Sequence, residues 1–169
     1  SKFDNEIYYN YTEGFYKYNP DTDAFERDSL LSNLSNKELI NGLIVQSGND
    51  ASIALAEAIA GSEENFVNLM NKEAERLGMK GTHFTNTSGL PNPDHFTTAY
   101  DLTLLVSDIV RRFPEYYPLY SLREYTYNKI SQPNRNRLLW LDPNVDGLKT
   151  GYTKAAGYCL VASAKRNNR

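Results

Sequence analysis

Three features of the sequence predict an α+β fold in which helices pack on an antiparallel sheet. Apolar residues recur at three and four positions from Ser35 to Ile109, the period of amphipathic helices. Alternating, β-prone runs occupy Glu124 to Ala164. Helices therefore come first and strands follow, without the strand–helix alternation that builds a parallel sheet. At 169 residues the chain fits one domain with enough length to bury a core.

Residues 1–34 stand apart in composition. Five of the thirteen tyrosines (Tyr8, Tyr9, Tyr11, Tyr16, Tyr18) fall in the first eighteen residues. Ile7–Tyr11 and Phe15–Tyr18 flank Thr12-Glu13-Gly14, which suits a hairpin, and Asn19–Asp23 reads as a turn. Asp21, Asp23, Glu26 and Asp28 lack the glycine and the closing glutamate of a calcium loop, so they read as a solvated acidic turn.

The first helix starts at Ser35 or Asn36 as cap, carries Leu39, Ile40, Leu43 and Ile44 on one face, and ends at Gln46–Asp50. An alanine-rich helix, Ala51–Ala60, closes at Gly61, and a third runs from the Ser62 cap to Gly78. Thr82–His95 is a loop dense in Asn, Gly and Pro. Thr98 with Asp101 opens a fourth helix, stopped before Pro114. Glu124–Ile130 reads as one strand, Gln132–Arg137 as a polar loop, and Asn144-Val145-Asp146-Gly147 as a tight turn. A short strand with Lys149-Thr150-Gly151 follows, then a second, Gly157–Ala164. Cys159 is expected there as an inert core thiol.

Composition excludes several classes. The 40% hydrophobic and 23% charged content is ordinary for a globular chain, and a net charge of −3 gives no field for nucleic acid or anionic lipid. One cysteine permits neither an internal disulfide nor a multi-cysteine metal site. No apolar run approaches the roughly 20 residues that span a bilayer. Ser1-Lys2-Phe3-Asp4 is not a signal peptide, and without an initiator Met the chain reads as a processed or truncated piece.

Two short motifs carry chemistry. Lys149-Thr150-Gly151 sets a cation, a rotatable hydroxyl and a residue without a side chain in a row on a strand, which suits an extended ligand ending in a carboxylate. Ser47-Gly48-Asn49 lies between two helices, where serine can pass a proton and asparagine can both donate to and accept from an amide. Taken singly, the first also reads as a solvated strand end and the second as a helix cap and turn.

Together, Gln46-Ser47-Gly48-Asn49-Asp50-Ala51 and Asp146-Gly147-Leu148-Lys149-Thr150-Gly151 resemble the penicillin-binding-protein superfamily, and within it the low-molecular-mass D-alanyl-D-alanine carboxypeptidases. Gly81-Thr82-His83-Phe84, Ser88-Gly89-Leu90, Thr97–Asp101, Asn134-Arg135-Asn136 and Ala156-Gly157-Tyr158 agree, so the resemblance covers roughly residues 37–166. It divides the chain into the Tyr-rich segment 1–34, of unclear relation, and a partial carboxypeptidase domain, 35–169. The fold implied is the transpeptidase fold of penicillin-binding proteins and β-lactamases, incomplete at both ends.

That family is defined by Ser-x-x-Lys, Ser-x-Asn and Lys-Thr-Gly around one cleft. The resemblance implies that Ser47 belongs to a proton-relay network, that Asn49 holds the substrate amide and that Lys149 supplies positive potential. It places Thr150 and Gly151 on the strand that substrate pairs with, and Arg135 at the terminal D-alanine carboxylate, a role for which guanidinium geometry is suited, although Arg135 also reads as a solvated surface residue. His83 and His95 have no role in this scheme. No serine in these 169 residues is followed three positions later by lysine; the nearest approach is Thr126-Tyr127-Asn128-Lys129.

The function implied is removal of the terminal D-alanine from peptidoglycan pentapeptide stems through a serine acyl-enzyme, with the nucleophile outside this chain. No metal and no cofactor are implied. Stem peptides ending in D-Ala-D-Ala and inhibitory β-lactams are the expected partners. The setting the resemblance implies is periplasmic or extracytoplasmic, in cell-wall synthesis and cell shape, with any membrane attachment through segments outside the chain. The alternative is a non-catalytic homologue that binds peptidoglycan stems or a protein partner. A β-lactamase shares the motifs, but the intervening stretches resemble the carboxypeptidase branch.

Overall fold

A computed structural model describes the backbone of β1 (Ile7–Asn10), β2 (Gly14–Asn19) and β3 (Ala24–Arg27), and residues 35–166 with their side chains. The acidic turn expected around Asp21, Asp23 and Asp28 lies outside the described residues, as do Ser1–Asp4 and Asn167–Arg169.

The aromatic runs pair as the turn residues between them require: β1 and β2 are antiparallel, with Tyr9 opposite Phe15 and Asn10 opposite Gly14. A third strand, β3, adds to β2 with Ala24 opposite Asn19. The sequence did not disclose it, because Ala-Phe-Glu-Arg is short and holds one large apolar residue; pairing with β2 supplies what local pattern lacks.

Four helices follow: α1 (Asn36–Gln46), α2 (Asn49–Ala60), α3 (Glu63–Leu77) and α4 (Ala99–Arg112). Their ends are set by local side-chain chemistry. Ser35 and Glu38 form a reciprocal capping box, worth about 1 kcal/mol. Ser62 accepts from the Asn65 N–H, and Thr98 accepts from that of Asp101. Asp101 does not reach back to its cap. Its carboxylate takes the Gly81 N–H at 2.8 Å and the Thr82 hydroxyl at 2.6 Å, which fastens the loop after α3 to the start of α4. Gly61 and Gly78 end α2 and α3 at φ of 79° and 75°, where a side chain is disfavoured.

A 3-10 helix, Tyr117–Ser121, leads into two hairpins separated by the short helix α5 (Leu138–Leu141). β4 (Glu124–Tyr127) pairs with β5 (Ile130–Pro133), and β6 (Val145–Thr153) with β7 (Gly157–Ala164), both antiparallel. α1 is central: it packs on α2, on both strands of the β4–β5 hairpin and on the 3-10 helix, which in turn packs on β6. The core is accordingly built from Leu39, Ile44 and Val45 of α1 with Ala51 and Ala56 of α2, joined by Tyr117, Leu139 and Leu148. The α+β class holds, with the strands arranged as separate antiparallel sheets among the described residues.

Three local expectations are corrected. The stretch Glu124–Ile130 is not one strand: the chain reverses at Asn128-Lys129, both at positive φ (46° and 64°), the backbone of a two-residue hairpin turn. The expected polar loop therefore begins only after β5. The tight turn expected at Asn144–Gly147 falls earlier, where the Asp142 carboxylate accepts from the Asn144 N–H at 2.9 Å. Val145, Asp146 and Gly147 already belong to β6, with a bulge between Val145 and Gly147. Cys159 is exposed, because nothing among the described residues covers that part of the β6–β7 ribbon.

Candidate active site

Ser47 closes α1 in the left-handed conformation (φ 59°, ψ 43°), its N–H donating to the Leu43 carbonyl at 3.0 Å. Left-handed backbone at a serine costs on the order of 1 kcal/mol relative to glycine. Gly48 then caps α2, and a Cβ there would lie 3.2 Å from an Asp50 carboxylate oxygen, so the junction leaves little room for a larger residue. Asn49, half-buried, is the first residue of α2, and its carbonyl accepts from the Ser52 hydroxyl at 2.6 Å. Asp50 beside it is buried at 7% exposure, with one carboxylate oxygen lacking a hydrogen-bond partner among the described residues; burial pushes its carboxyl up from the usual range.

Lys149 reaches this junction from β6. Its Nζ donates to Ser47 Oγ and, at 2.8 Å, to the Thr150 carbonyl. Burial, and secondarily the Arg135 charge, lowers its ammonium from an ordinary 10.5 to about 8. An amine with that value is roughly one-quarter neutral at pH 7.5, so it can both give and take a proton at the serine hydroxyl. Thr150 and Gly151 continue β6, opposite Leu160 and Cys159 of β7. The other edge of β6 has no strand beside it among the described residues.

Gly151 is informative by contrast with Gly147. A Cβ at Gly147 would approach Ser163 Oγ and the Tyr117 hydroxyl to 3.0 Å, so any side chain there would have to displace one of them. At Gly151 a Cβ would meet only Cys159 Cβ, at an ordinary 3.8 Å. Packing among the described residues does not require the second glycine.

Arg135 is exposed between two buried asparagines, Asn134 and Asn136. With Arg137, Trp140 and Leu141 it lines an open groove, and its charge is felt at Lys149. Gln46, immediately before Ser47, donates to the Pro133 carbonyl at 3.0 Å and so joins the end of α1 to the segment carrying Arg135. The sequence offered no signal for that link, which spans 87 residues. Equally hidden was the chain from the Tyr117 hydroxyl to Ser163 Oγ and on to Asp146 at 2.7 Å.

The histidines lie in the loop before α4. His83 Nδ1 hydrogen-bonds the Asp94 carbonyl at 2.7 Å, and His95 Nδ1 accepts from the Thr85 N–H at 3.2 Å. Burial, then the His83 charge, holds His95 below its ordinary value. That loop is tied to the start of α3 by Thr87, whose N–H and hydroxyl donate to the Glu63 carboxylate at 2.9 and 2.8 Å, and the same hydroxyl lies 3.4 Å from Ser52 Oγ of α2. No group of three or more His, Cys, Asp or Glu side chains suited to a metal occurs among the described residues, and no described helix is long and apolar enough to cross a membrane.

Comparison with known proteins identifies the family. The chain is 47% identical over 150 residues to the D-alanyl-D-alanine carboxypeptidase DacA of Haemophilus influenzae, covering 88% of this chain and 38% of that protein. It is 52% identical over 132 residues to DacC of Escherichia coli K12, a D-alanyl-D-alanine carboxypeptidase, covering 78% and 33%. Among solved structures, penicillin binding protein 5 of Haemophilus influenzae superposes with a TM-score of 0.77 at 50% identity, over 80% of this chain and 40% of that one. The chain thus spans between a third and two fifths of the length of these relatives. The family model described as D-alanyl-D-alanine carboxypeptidase matches residues 4–169, a span that includes the Tyr-rich strands, and the chain belongs to that family.

Proposed function

We propose that the protein is a serine D-alanyl-D-alanine carboxypeptidase that removes the terminal D-alanine from peptidoglycan stem peptides. The observation that carries this reading is the meeting of Lys149 Nζ with Ser47 Oγ across 102 residues of chain, with Arg135 close enough to bear on the lysine's charge. In this reading residues 35–169 form part of a transpeptidase-like domain, and a serine outside these residues attacks the carbonyl carbon of the penultimate D-alanine. The C–N bond breaks, the amine leaves with a proton relayed through Ser47 and Lys149, and water then hydrolyses the ester.

The open edge of β6 receives the substrate backbone as an added strand. Thr150 lines that edge. Gly151, which packing does not require, lets the substrate approach. Asn49 holds the substrate amide, and Arg135 takes the terminal carboxylate. Such a substrate places the protein outside the cytoplasm, periplasmic in a Gram-negative cell, and the same site would be acylated by β-lactams, as the name of the structural relative implies.

The test is release of D-alanine from a diacetyl-L-Lys-D-Ala-D-Ala peptide by the full protein. Lys149→Ala is expected to lower kcat/KM by about two to three orders of magnitude, the scale of a lost general acid–base group. Absence of D-alanine release from the unaltered protein would sink the reading.

A further inference from the structure

Asn136 is the most deeply buried polar side chain described, at 1% exposure, and no step of the proposed reaction uses it. Its amide works in two directions at once. Nδ2 donates to the Gly147 carbonyl of β6 at 3.1 Å, while Oδ1 accepts from the Leu138 N–H at 3.2 Å, at the start of α5. Its own N–H donates to Asn134 Oδ1 at 2.9 Å. Asn134 is anchored in turn: its N–H donates to the Arg123 carbonyl at 2.7 Å and its Nδ2 to that of Leu122 at 2.9 Å. Arg135 is thus held at both flanks by buried amides.

Gly147 is gripped from the other side as well. A Cβ there would lie 3.0 Å from the Tyr117 hydroxyl and from Ser163 Oγ, and Ser163 is itself bonded to Asp146. The bulge in β6 sits at this point, and Lys149 is two residues further along the strand. A one-residue change of register would turn every later side chain of β6 to the opposite face. We propose that Asn136 is a positioning residue that holds Arg135 and the bulged start of β6 at Gly147 so that Lys149 Nζ meets Ser47 Oγ.

Asparagine is required because one side must donate to a carbonyl while the other accepts from an N–H. Aspartate loses the donor, leucine loses both, and a shorter side chain cannot span the two. The proposal rests on reading Ser47 and Lys149 as a catalytic pair, but its test does not depend on turnover.

The test is an NMR titration of 13C-labelled lysine in the full protein, comparing Asn136→Ala and Asn136→Ser with Leu139→Ala. Leu139 is 2% exposed in the neighbouring helix and serves as a control for lost core packing. Both Asn136 variants are expected to raise the Lys149 midpoint by about one pH unit as the amine slips toward solvent, with the alanine variant shifting further. Leu139→Ala is expected to lower the melting temperature and leave that midpoint in place. A midpoint unmoved in whichever Asn136 variants fold, or moved as far by Leu139→Ala, overturns the proposal. If the protein releases no D-alanine while the titration behaves as expected, the functional reading fails and the positioning role stands.

Discussion

Replacing Lys149 by methionine separates the cost of placing a cation at this junction from the benefit of its contacts. In the folded protein burial and the Arg135 charge lower the Lys149 ammonium to about 8, against 10.5 for the free side chain. The unfolded chain therefore binds more protons than the folded one between those values, and stability contributed through this group rises as pH rises from about 8 to 10.5. Below pH 8 the folded state carries the full penalty, about 3 kcal/mol from the size of the shift, or about 2 after allowing for solvent reaching a partly exposed amine. Methionine removes that penalty with similar volume, and loses hydrogen bonds to Ser47 and the Thr150 carbonyl worth at least about 1 kcal/mol each. The expected result at pH 7 is a variant within about 1 kcal/mol of the wild type in stability, with kcat/KM lowered by about two to three orders of magnitude. At pH 10 the variant is expected to be the less stable protein, by about 2 kcal/mol, because the wild-type amine is then neutral when folded. Urea unfolding of both proteins at pH 7 and pH 10 reads the difference, and tyrosine ionisation cancels between them. A variant destabilised at pH 7 by the same amount as at pH 10 would refute the reasoning, since it would mean that Lys149 is not a desolvated cation.

Other substitutions test the remaining parts of the site. Ser47→Gly relieves the left-handed backbone at φ 59° and is expected to raise stability by roughly 0.5–1 kcal/mol in urea unfolding, while acylation by penicillin falls with the loss of the hydroxyl. Arg135→Gln removes the lesser of the two causes of the depressed lysine, so the Lys149 midpoint is expected to rise from about 8 but to stay below 10.5 by NMR titration. Two glycines should respond differently to alanine. Gly81→Ala drives a Cβ to 2.6 Å from Thr98 Cγ2 and should cost about 1–3 kcal/mol in thermal unfolding. Gly151→Ala has room at 3.8 Å and should leave stability unchanged, yet slow penicillin acylation by narrowing the approach to β6.

Helix ends were legible because the groups that make them are neighbours in sequence. Ser35 with Glu38, Ser62 with the Asn65 N–H, and Thr98 with the Asp101 N–H each act within one turn, and Gly61 and Gly78 need only their own φ. The β elements were less legible because their partners are distant. Val145 belongs to a strand since it lies opposite Ala164, against the turn preference of Asn144-Val145-Asp146-Gly147. Lys129 accepts positive φ because Tyr127 and Ile130 pair across it, although alternation through Ile130 suggested an unbroken strand. Cys159 looked buried from strand alternation alone, which carries no information on whether a second layer covers the face. In the site, Ser47 and Lys149 could be named from short motifs, and the fold brings them together. Asn136 stands in the Asn134-Arg135-Asn136 stretch of the family resemblance, but its bond to the Gly147 carbonyl, 11 residues on in another element, leaves no periodic or local trace.

The most direct test of the proposed function is intact and peptide-mapped mass spectrometry of the full protein before and after benzylpenicillin. One penicilloyl adduct, on a serine outside these 169 residues and strongly reduced by Lys149→Met, is the expected result. No adduct, or an adduct mapped to a serine within these residues, would contradict it.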